Sequence, residues 1–148
     1  MLGPTERQTE DVRMPAPGMR ALILVVERDP HVKELERYFL EEGGFAVEFA
    51  DDGQHAIELA RKLQPAIVIT EILVPKVDGL KVCRTLKTDA ATRQIVVLIF
   101  SILAAEDRAR EAGADGFLRK PLNDERLLES VRKLIRPPLA EGNLHGSH

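Results

Sequence analysis

The sequence predicts one α/β domain, a three-layer sandwich in which five helices wind around both faces of a five-stranded parallel sheet. Short apolar runs rich in β-branched residues alternate along the chain with amphipathic segments at helical spacing. The length of 148 residues, 44% of them hydrophobic, with a formal net charge of −3, suits a single globular domain. We expect this domain at residues 20–136. A disordered arm is expected at 1–19 and a disordered tail at 137–148, because both contain prolines and glycines without apolar periodicity.

Five apolar runs predict the strands. Three are continuous, as strands buried on both faces of a parallel sheet require: ALILVV at 21–26, AIVIT at 66–70 and IVVLIF at 95–100. The other two, FAVEFA at 45–50 and GFLR at 116–119, are weaker. We therefore expect these two strands nearer the edges of the sheet.

The segments between the strands predict five helices. Asp29, just ahead of Pro30, is the expected N-cap of the first helix, and Asn123 is that of the fifth. The fourth helix is expected to be short, from Ala104 to Ala112. The apolar faces are expected to comprise Val32, Leu35, Phe39 and Leu40 in the first helix, Ala56, Leu59, Ala60 and Leu63 in the second, Leu80, Cys83 and Leu86 in the third, and Leu127, Leu128, Val131, Leu134 and Ile135 in the fifth.

Composition excludes several classes of protein. No apolar run approaches the roughly 20 residues that cross a bilayer, and the N-terminal segment lacks the apolar core of a secretory signal. A single cysteine, Cys83, excludes an intramolecular disulfide and a zinc site built from cysteines. The sequence pI near 5.8 gives no reason to expect nucleic-acid binding. We expect a cytoplasmic protein that binds neither membrane nor nucleic acid.

The carboxyl ends of the strands are the expected functional edge, because open α/β sheets bind ligands there. The loop after the first strand reads ERDPH, without the glycines of a phosphate-binding loop, so nucleotide binding at this edge is not expected. No nucleophile–base pair or cofactor loop is found either, which disfavours an enzyme on this fold. The candidate residues are Glu27, Arg28 and Asp29 after the first strand, Glu71 after the third, Ser101 after the fourth, and Lys120 with Pro121 after the fifth.

In this order and spacing, these residues resemble the receiver domain of bacterial response regulators. The resemblance covers nearly all of 20–136 and rests on LILVVERDP, on PAIVITEILVPKVDG, on Ser101 and on AGADGFLRKP. It implies a CheY-like, flavodoxin-like fold and a role in two-component or phosphorelay signalling. It also implies that Glu71 stands at the phosphoacceptor position, Ser101 at the switch position, and Lys120 before a cis Pro121. Phe117 takes the place of a switch aromatic, although a core-capping role is equally compatible with its position.

Two departures from the family pattern predict a degenerate site, or pseudo-receiver. In the family, two carboxylates after the first strand and the phosphoacceptor Asp hold one Mg²⁺. Arg28 replaces one of these acids and brings a permanent cation, which at about 5 Å repels Mg²⁺ by roughly 6 kcal/mol before screening. We therefore expect the Mg²⁺ site to be lost and no cofactor to be bound. Arg28 could instead form a bidentate pair with Glu71 or Glu27.

Glu71 is the second departure, because its extra methylene moves the nucleophilic oxygen by about 1 Å, enough to cost about a hundredfold in transfer rate. Glu71 could reach Lys120 or Ser101 instead. We expect a single-domain signalling protein, not an enzyme, that contacts a protein partner such as a histidine kinase. It could also pair with a second copy through the face of the fourth helix, fifth strand and fifth helix. The alternative is a phosphate-accepting receiver that uses Glu71 or a nearby acid such as Asp78.

Overall fold

The computed structural model describes residues 20–121 and 123–135, which form a five-stranded parallel sheet with helices on both faces. The strands lie in the order β2-β1-β3-β4-β5, so the two weak runs form the edges, as predicted. The expected arm at 1–19 and tail at 137–148 lie outside the described residues. The strands are β1 (Leu22–Val26), β2 (Ala46–Ala50), β3 (Ile67–Thr70), β4 (Val96–Ser101) and β5 (Gly116–Arg119); the helices are α1 (Pro30–Glu42), α2 (Gly53–Leu63), α3 (Gly79–Thr88), α4 (Glu106–Glu111) and α5 (Asp124–Leu134).

Two apolar layers hold the sheet between its helices. Successive strand residues point to opposite faces, so Ile23 and Val25 pack towards α1 and α5, whereas Leu24 and Val26 pack towards α2, α3 and α4. The central strands β1, β3 and β4 are almost fully buried, which explains their continuous apolar sequences. The predicted doubly wound fold is confirmed. No helix among residues 20–121 and 123–135 is long and apolar enough to cross a membrane.

The predicted ends of α1 and α5 are confirmed in detail. The Asp29 carboxylate accepts hydrogen bonds from the backbone N–H groups of His31 and Val32, and the Asn123 side chain accepts one from Arg126. Both residues satisfy N–H groups that have no partner within the helix. Helix α4 is even shorter than expected, with six residues, and its N-cap residue Ala105 offers no side-chain hydrogen bond.

The predicted apolar face of α1 is wrong at one position. Leu35 is 45% exposed, whereas the neighbouring Glu36 is only 1% exposed. Residues four apart stack on one helix face, and the buried positions of α1 are Glu36 and Leu40. An ionisable residue therefore occupies a place against the sheet that the sequence pattern assigned to a leucine.

Candidate functional site

Four side chains meet at the carboxyl ends of the strands. Glu27 follows β1, Glu71 follows β3, Ser101 ends β4 and Lys120 follows β5. The two glutamates and the serine are buried, and the side chain of Lys120 keeps 14% of its exposure. These are four of the residues that the sequence identified at this edge. We call them the carboxylate–lysine cluster.

Lys120 links the two acids. Its Nζ atom lies 2.7 Å from Oε1 of Glu27 and 3.0 Å from Oε2 of Glu71. Burial works to lower the pKa of Lys120, but the hydrogen bonds and negative charges of Glu27 and Glu71 outweigh it and hold this pKa above its ordinary value. The lysine is therefore a fixed ammonium ion between two carboxylates.

The Glu71 carboxylate accepts hydrogen bonds on both oxygens. Its Oε1 accepts from the Ser101 hydroxyl and from the backbone N–H groups of Ile72 at 2.7 Å and Leu73 at 3.4 Å. Its Oε2 accepts from the backbone N–H of Ile102 at 3.2 Å, besides the contact with Lys120. Burial raises the pKa of Glu71, yet the Ser101 hydrogen bond and the Lys120 ammonium outweigh burial and place this pKa below its ordinary value. Glu71 is thus an anion held by five donors, including both partners named from the sequence.

Local backbone geometry explains how Glu71 is held. The loop after β3 returns so closely that a Cβ atom on Gly79 would lie 2.2 Å from the Glu71 carbonyl oxygen. Only glycine fits there. Asp78, the alternative phosphate acceptor, caps α3, and its carboxylate accepts the backbone N–H of Lys81 at 2.9 Å. The VDG sequence therefore fixes the start of α3 against the backbone of Glu71.

The expected pairing of Arg28 is wrong. Arg28 is exposed and forms no ion pair with Glu27, Glu71 or any other acid among residues 20–121 and 123–135. Glu27 is buried and Arg28 is exposed, so the two neighbouring side chains face different surroundings. The remaining Glu27 oxygen, Oε2, accepts the backbone N–H of Asp29 at 3.1 Å, and the Asp29 carboxylate caps α1.

Glu36 is a member of this neighbourhood that sequence reasoning missed. Its side chain is buried, and its Oε1 atom has no hydrogen-bond partner among the described residues. Burial raises the pKa of Glu36 from 4.5 to about 8; the charges of Glu27 and Glu71 add to the rise, and Lys120 opposes it. The available signal was its spacing, four residues after Val32 and four before Leu40, which places an acid in an apolar row.

The donor set of the cluster differs from that of a magnesium site. Mg²⁺ requires near-octahedral oxygen ligands at about 2.0–2.1 Å. Here an ammonium group contacts one oxygen of Glu27 and one of Glu71, and Arg28 offers no carboxylate. In the part of the chain that the structure describes, no group of three or more His, Cys, Asp or Glu side chains is arranged to hold a metal ion.

Two other predicted residues lie at β5. Phe117 is half-buried, packs against the core beside α4 and borders two cavities, of about 790 and 140 Å³. Pro121 follows a cis peptide bond from Lys120 and is exposed. The packing of Phe117 is compatible with the core-capping role, and its role as a switch aromatic stays a prediction.

Comparison with known proteins identifies the family. The response regulator receiver domain family model matches residues 23–132. The chain belongs to this family. Among curated relatives of this receiver chain, the DNA-binding dual master transcriptional regulator RpaA of Synechocystis is 38% identical over 117 residues, which cover 77% of the chain and 48% of RpaA. Response regulator MprA of Mycolicibacterium vanbaalenii is 39% identical over 119 residues, or 80% of the chain and 52% of MprA.

The receiver chain thus spans about half the length of these relatives. Solved structures of receiver domains are also similar to this chain. The signal receiver domain of a histidine kinase from Syntrophus aciditrophicus is 34% identical, with a TM-score of 0.73, over 78% of this chain and 89% of that one. Chemotaxis response regulator CheY4 of Vibrio cholerae is 24% identical, with a TM-score of 0.73, over 78% and 99%, and supports the fold.

Proposed function

We propose that this receiver domain signals in a two-component or phosphorelay pathway by contact with a protein partner, without Mg²⁺-dependent phosphorylation. The observation that carries the proposal is the Glu71 carboxylate, which lies between Lys120 and Ser101 and contacts both. The contacts that a transferred phosphoryl group would need from these side chains are already made by Glu71 itself.

The electrostatics of the cluster support a locked state. Phosphoryl transfer requires an aligned nucleophile and a cation that neutralises the developing charge. Both oxygens of Glu71 are engaged by donors, and Lys120 is shared with Glu27. An incoming phosphate would have to displace these contacts without the help of a metal ion. The negative charge at Glu71 is therefore constitutive, and so is the conformation that depends on it.

Incubation with acetyl phosphate in the presence of Mg²⁺ tests this proposal. Phosphate uptake is then measured as a change in the mass of the intact protein. We expect no added mass in the wild type, whereas Arg28→Asp combined with Glu71→Asp, which restores the family's acids, should gain about 80 Da that hydroxylamine removes. The double variant is the control for donor and metal. A hydroxylamine-sensitive gain in the wild type would overturn the proposal and favour the alternative, a phosphate-accepting receiver that uses Glu71 or Asp78. Asp78 already caps α3, so the observed geometry gives Asp78 less support as the acceptor.

The contact surface that we propose is the face of α4, β5 and α5. It combines one half-buried aromatic residue with charges of both signs, an arrangement that sets orientation more than affinity. Its occupant is a signalling protein, a histidine kinase among the candidates, or a second copy of the chain. The face comprises Arg108, Arg110, Glu111, Phe117, Arg119, Asp124, Glu125 and Glu129.

Two measurements test the face. Pull-down from the native cell extract should give a set of partners, and the variants Phe117→Ala and Arg119→Glu should recover less of them. Analytical sedimentation of the purified chain over a range of concentrations reports self-association. Unchanged partners and unchanged sedimentation in both variants would show that this face is not the interface.

A further inference from the structure

A groove of about 790 Å³ lies where α4, β5 and α5 meet, and it has no part in the carboxylate–lysine cluster. Phe117 and Arg119 of β5 line it, with Ala104 and Ala105 ahead of α4. The short α4 and the small alanine side chains leave this volume open. Small-molecule sites commonly enclose about 300–1,000 Å³, so the groove is of the right size for one ligand.

Three guanidinium groups from three different elements border the groove: Arg108 of α4, Arg119 of β5 and Arg126 of α5. None of them forms an ion pair with an acid among residues 20–121 and 123–135, whereas Arg37 and Arg61 elsewhere on the surface are paired. Guanidinium groups bind phosphate oxygens through pairs of parallel hydrogen bonds. Three of them around one volume suit a tetrahedral oxyanion better than a planar carboxylate.

The two acids that border the groove share one cation, Arg110. Arg110 reaches Glu106 at 3.3 Å and Asp107 at 3.0 Å. The three arginines and two acids that line the groove carry a formal charge of +1, and Arg110 beside them brings the neighbourhood to +2.

Arg119 is partly preorganised for binding. Its Nε atom donates a hydrogen bond to the Ile102 carbonyl oxygen at 3.1 Å, which fixes the guanidinium and leaves its terminal nitrogens available. Phe117 lies two residues earlier on β5, and thus on the same face of the strand. A fixed cation beside an accessible aromatic ring favours a ligand with an anionic part and a flat apolar part.

We propose that this groove binds a phosphorylated small molecule of the nucleotide type, with its phosphates between Arg108, Arg119 and Arg126 and its aromatic part on Phe117. The groove contains no residue of the first-strand loop, where the absence of glycines argued against nucleotide binding. The inference adds to the proposed function, because an occupant would change the face that we assign to the partner, but it does not depend on it.

The test is a titration with ATP and with sodium tripolyphosphate, without Mg²⁺ and at about 150 mM salt. Binding is monitored by calorimetry and by the nuclear magnetic resonance chemical shifts of the backbone amides. We expect saturable binding with shifts concentrated at residues 103–108 and 116–119. Arg119→Gln and Arg126→Gln should each weaken both probes about tenfold. Phe117→Leu should weaken ATP and leave tripolyphosphate unchanged. Arg93→Gln, an exposed arginine before β4, is the matched control and should bind as the wild type does.

Several results would overturn the inference. Equal weakening by Arg93→Gln, shifts spread over the whole basic surface, or no saturation at several millimolar ATP would each reduce the groove to ordinary surface charge. If ATP and tripolyphosphate do not displace each other in a competition titration, they do not share a site. Amide spectra of every variant report folding separately from binding. No phosphodonor or protein partner is present in these titrations, so a failed partner assay would contradict the proposed function and leave this result standing.

Discussion

Two buried glutamates near the same edge of the sheet are held in opposite ways. Glu71 receives five hydrogen-bond donors, and its pKa lies below the ordinary value. Glu36 has an oxygen without a partner among the described residues, and burial raises its pKa to about 8. The cost of burial acts on both carboxyls, so the difference lies in the local donors. A loop and a strand end supply N–H groups and a hydroxyl to Glu71, whereas Oε1 of Glu36, on the buried face of α1, receives no donor from the described residues.

Removing the shared cation should break this arrangement with the largest effect. Lys120→Met leaves Glu27 and Glu71 buried without a counter-ion, so we expect a loss of about 3–5 kcal/mol in the free energy of unfolding at pH 7. Urea titration measures it. Lys76→Met, which removes an exposed pair with Asp52, is the control and should cost less than about 1 kcal/mol. Equal losses in the two variants would mean that the cluster contributes no more than a surface pair.

The raised pKa of Glu36 predicts a stability that falls with pH. Above pH 4.5 the unfolded chain releases this proton, whereas the folded chain keeps it up to about pH 8. Stability is therefore highest at the acid end of that window and declines through it, by about 3 kcal/mol between pH 5.5 and 8. The lowered pKa of Glu71 acts below this window, and the raised pKa of Lys120 acts above it.

Glu36→Gln isolates this contribution, because glutamine has the shape of the protonated acid and does not titrate. Urea unfolding of both proteins across pH 5.5–8 should give a falling curve for the wild type and a nearly flat one for the variant. Parallel curves would assign the pH dependence to other groups and contradict the raised pKa.

A smaller effect is expected when Glu71 loses its charge but keeps its size. Glu71→Gln replaces two acceptor oxygens by one oxygen and an NH₂ group, which cannot accept from Ile102 and Lys120 as the carboxylate does. We expect a loss of about 2 kcal/mol at pH 7 and large shifts of the Ile72 and Ile102 backbone amides in nuclear magnetic resonance spectra. Unmoved amides would show that these N–H groups do not depend on the carboxylate.

The sequence predicted the cluster well where topology fixes it. Parallel strands end at a common edge, so residues at the carboxyl ends of three different strands had to converge, and Glu71, Lys120 and Ser101 do. The prediction failed where the direction of a side chain depends on a small rotation of the backbone or of a helix. Arg28 turns outward at a strand end, and α1 is rotated so that Glu36 rather than Leu35 faces the sheet. A search for hydrophobic spacing selects apolar residues as the buried positions of a helix, because burial of an acid is costly. It therefore selected Leu35 and passed over Glu36.

The smallest expected effect tests the rotation of α1 directly. Leu35 is 45% exposed, so Leu35→Gln removes little buried apolar area and should change the free energy of unfolding by less than about 0.5 kcal/mol. Leu40, five residues further along the helix, is fully buried, and Leu40→Ala should cost about 2–5 kcal/mol because it leaves a cavity beside the sheet. Urea titration at pH 6, where Glu36 remains protonated, keeps the two comparable. A loss of more than about 1.5 kcal/mol for Leu35→Gln would mean that Leu35 packs in the core, and it would return Glu36 to the surface with an ordinary pKa.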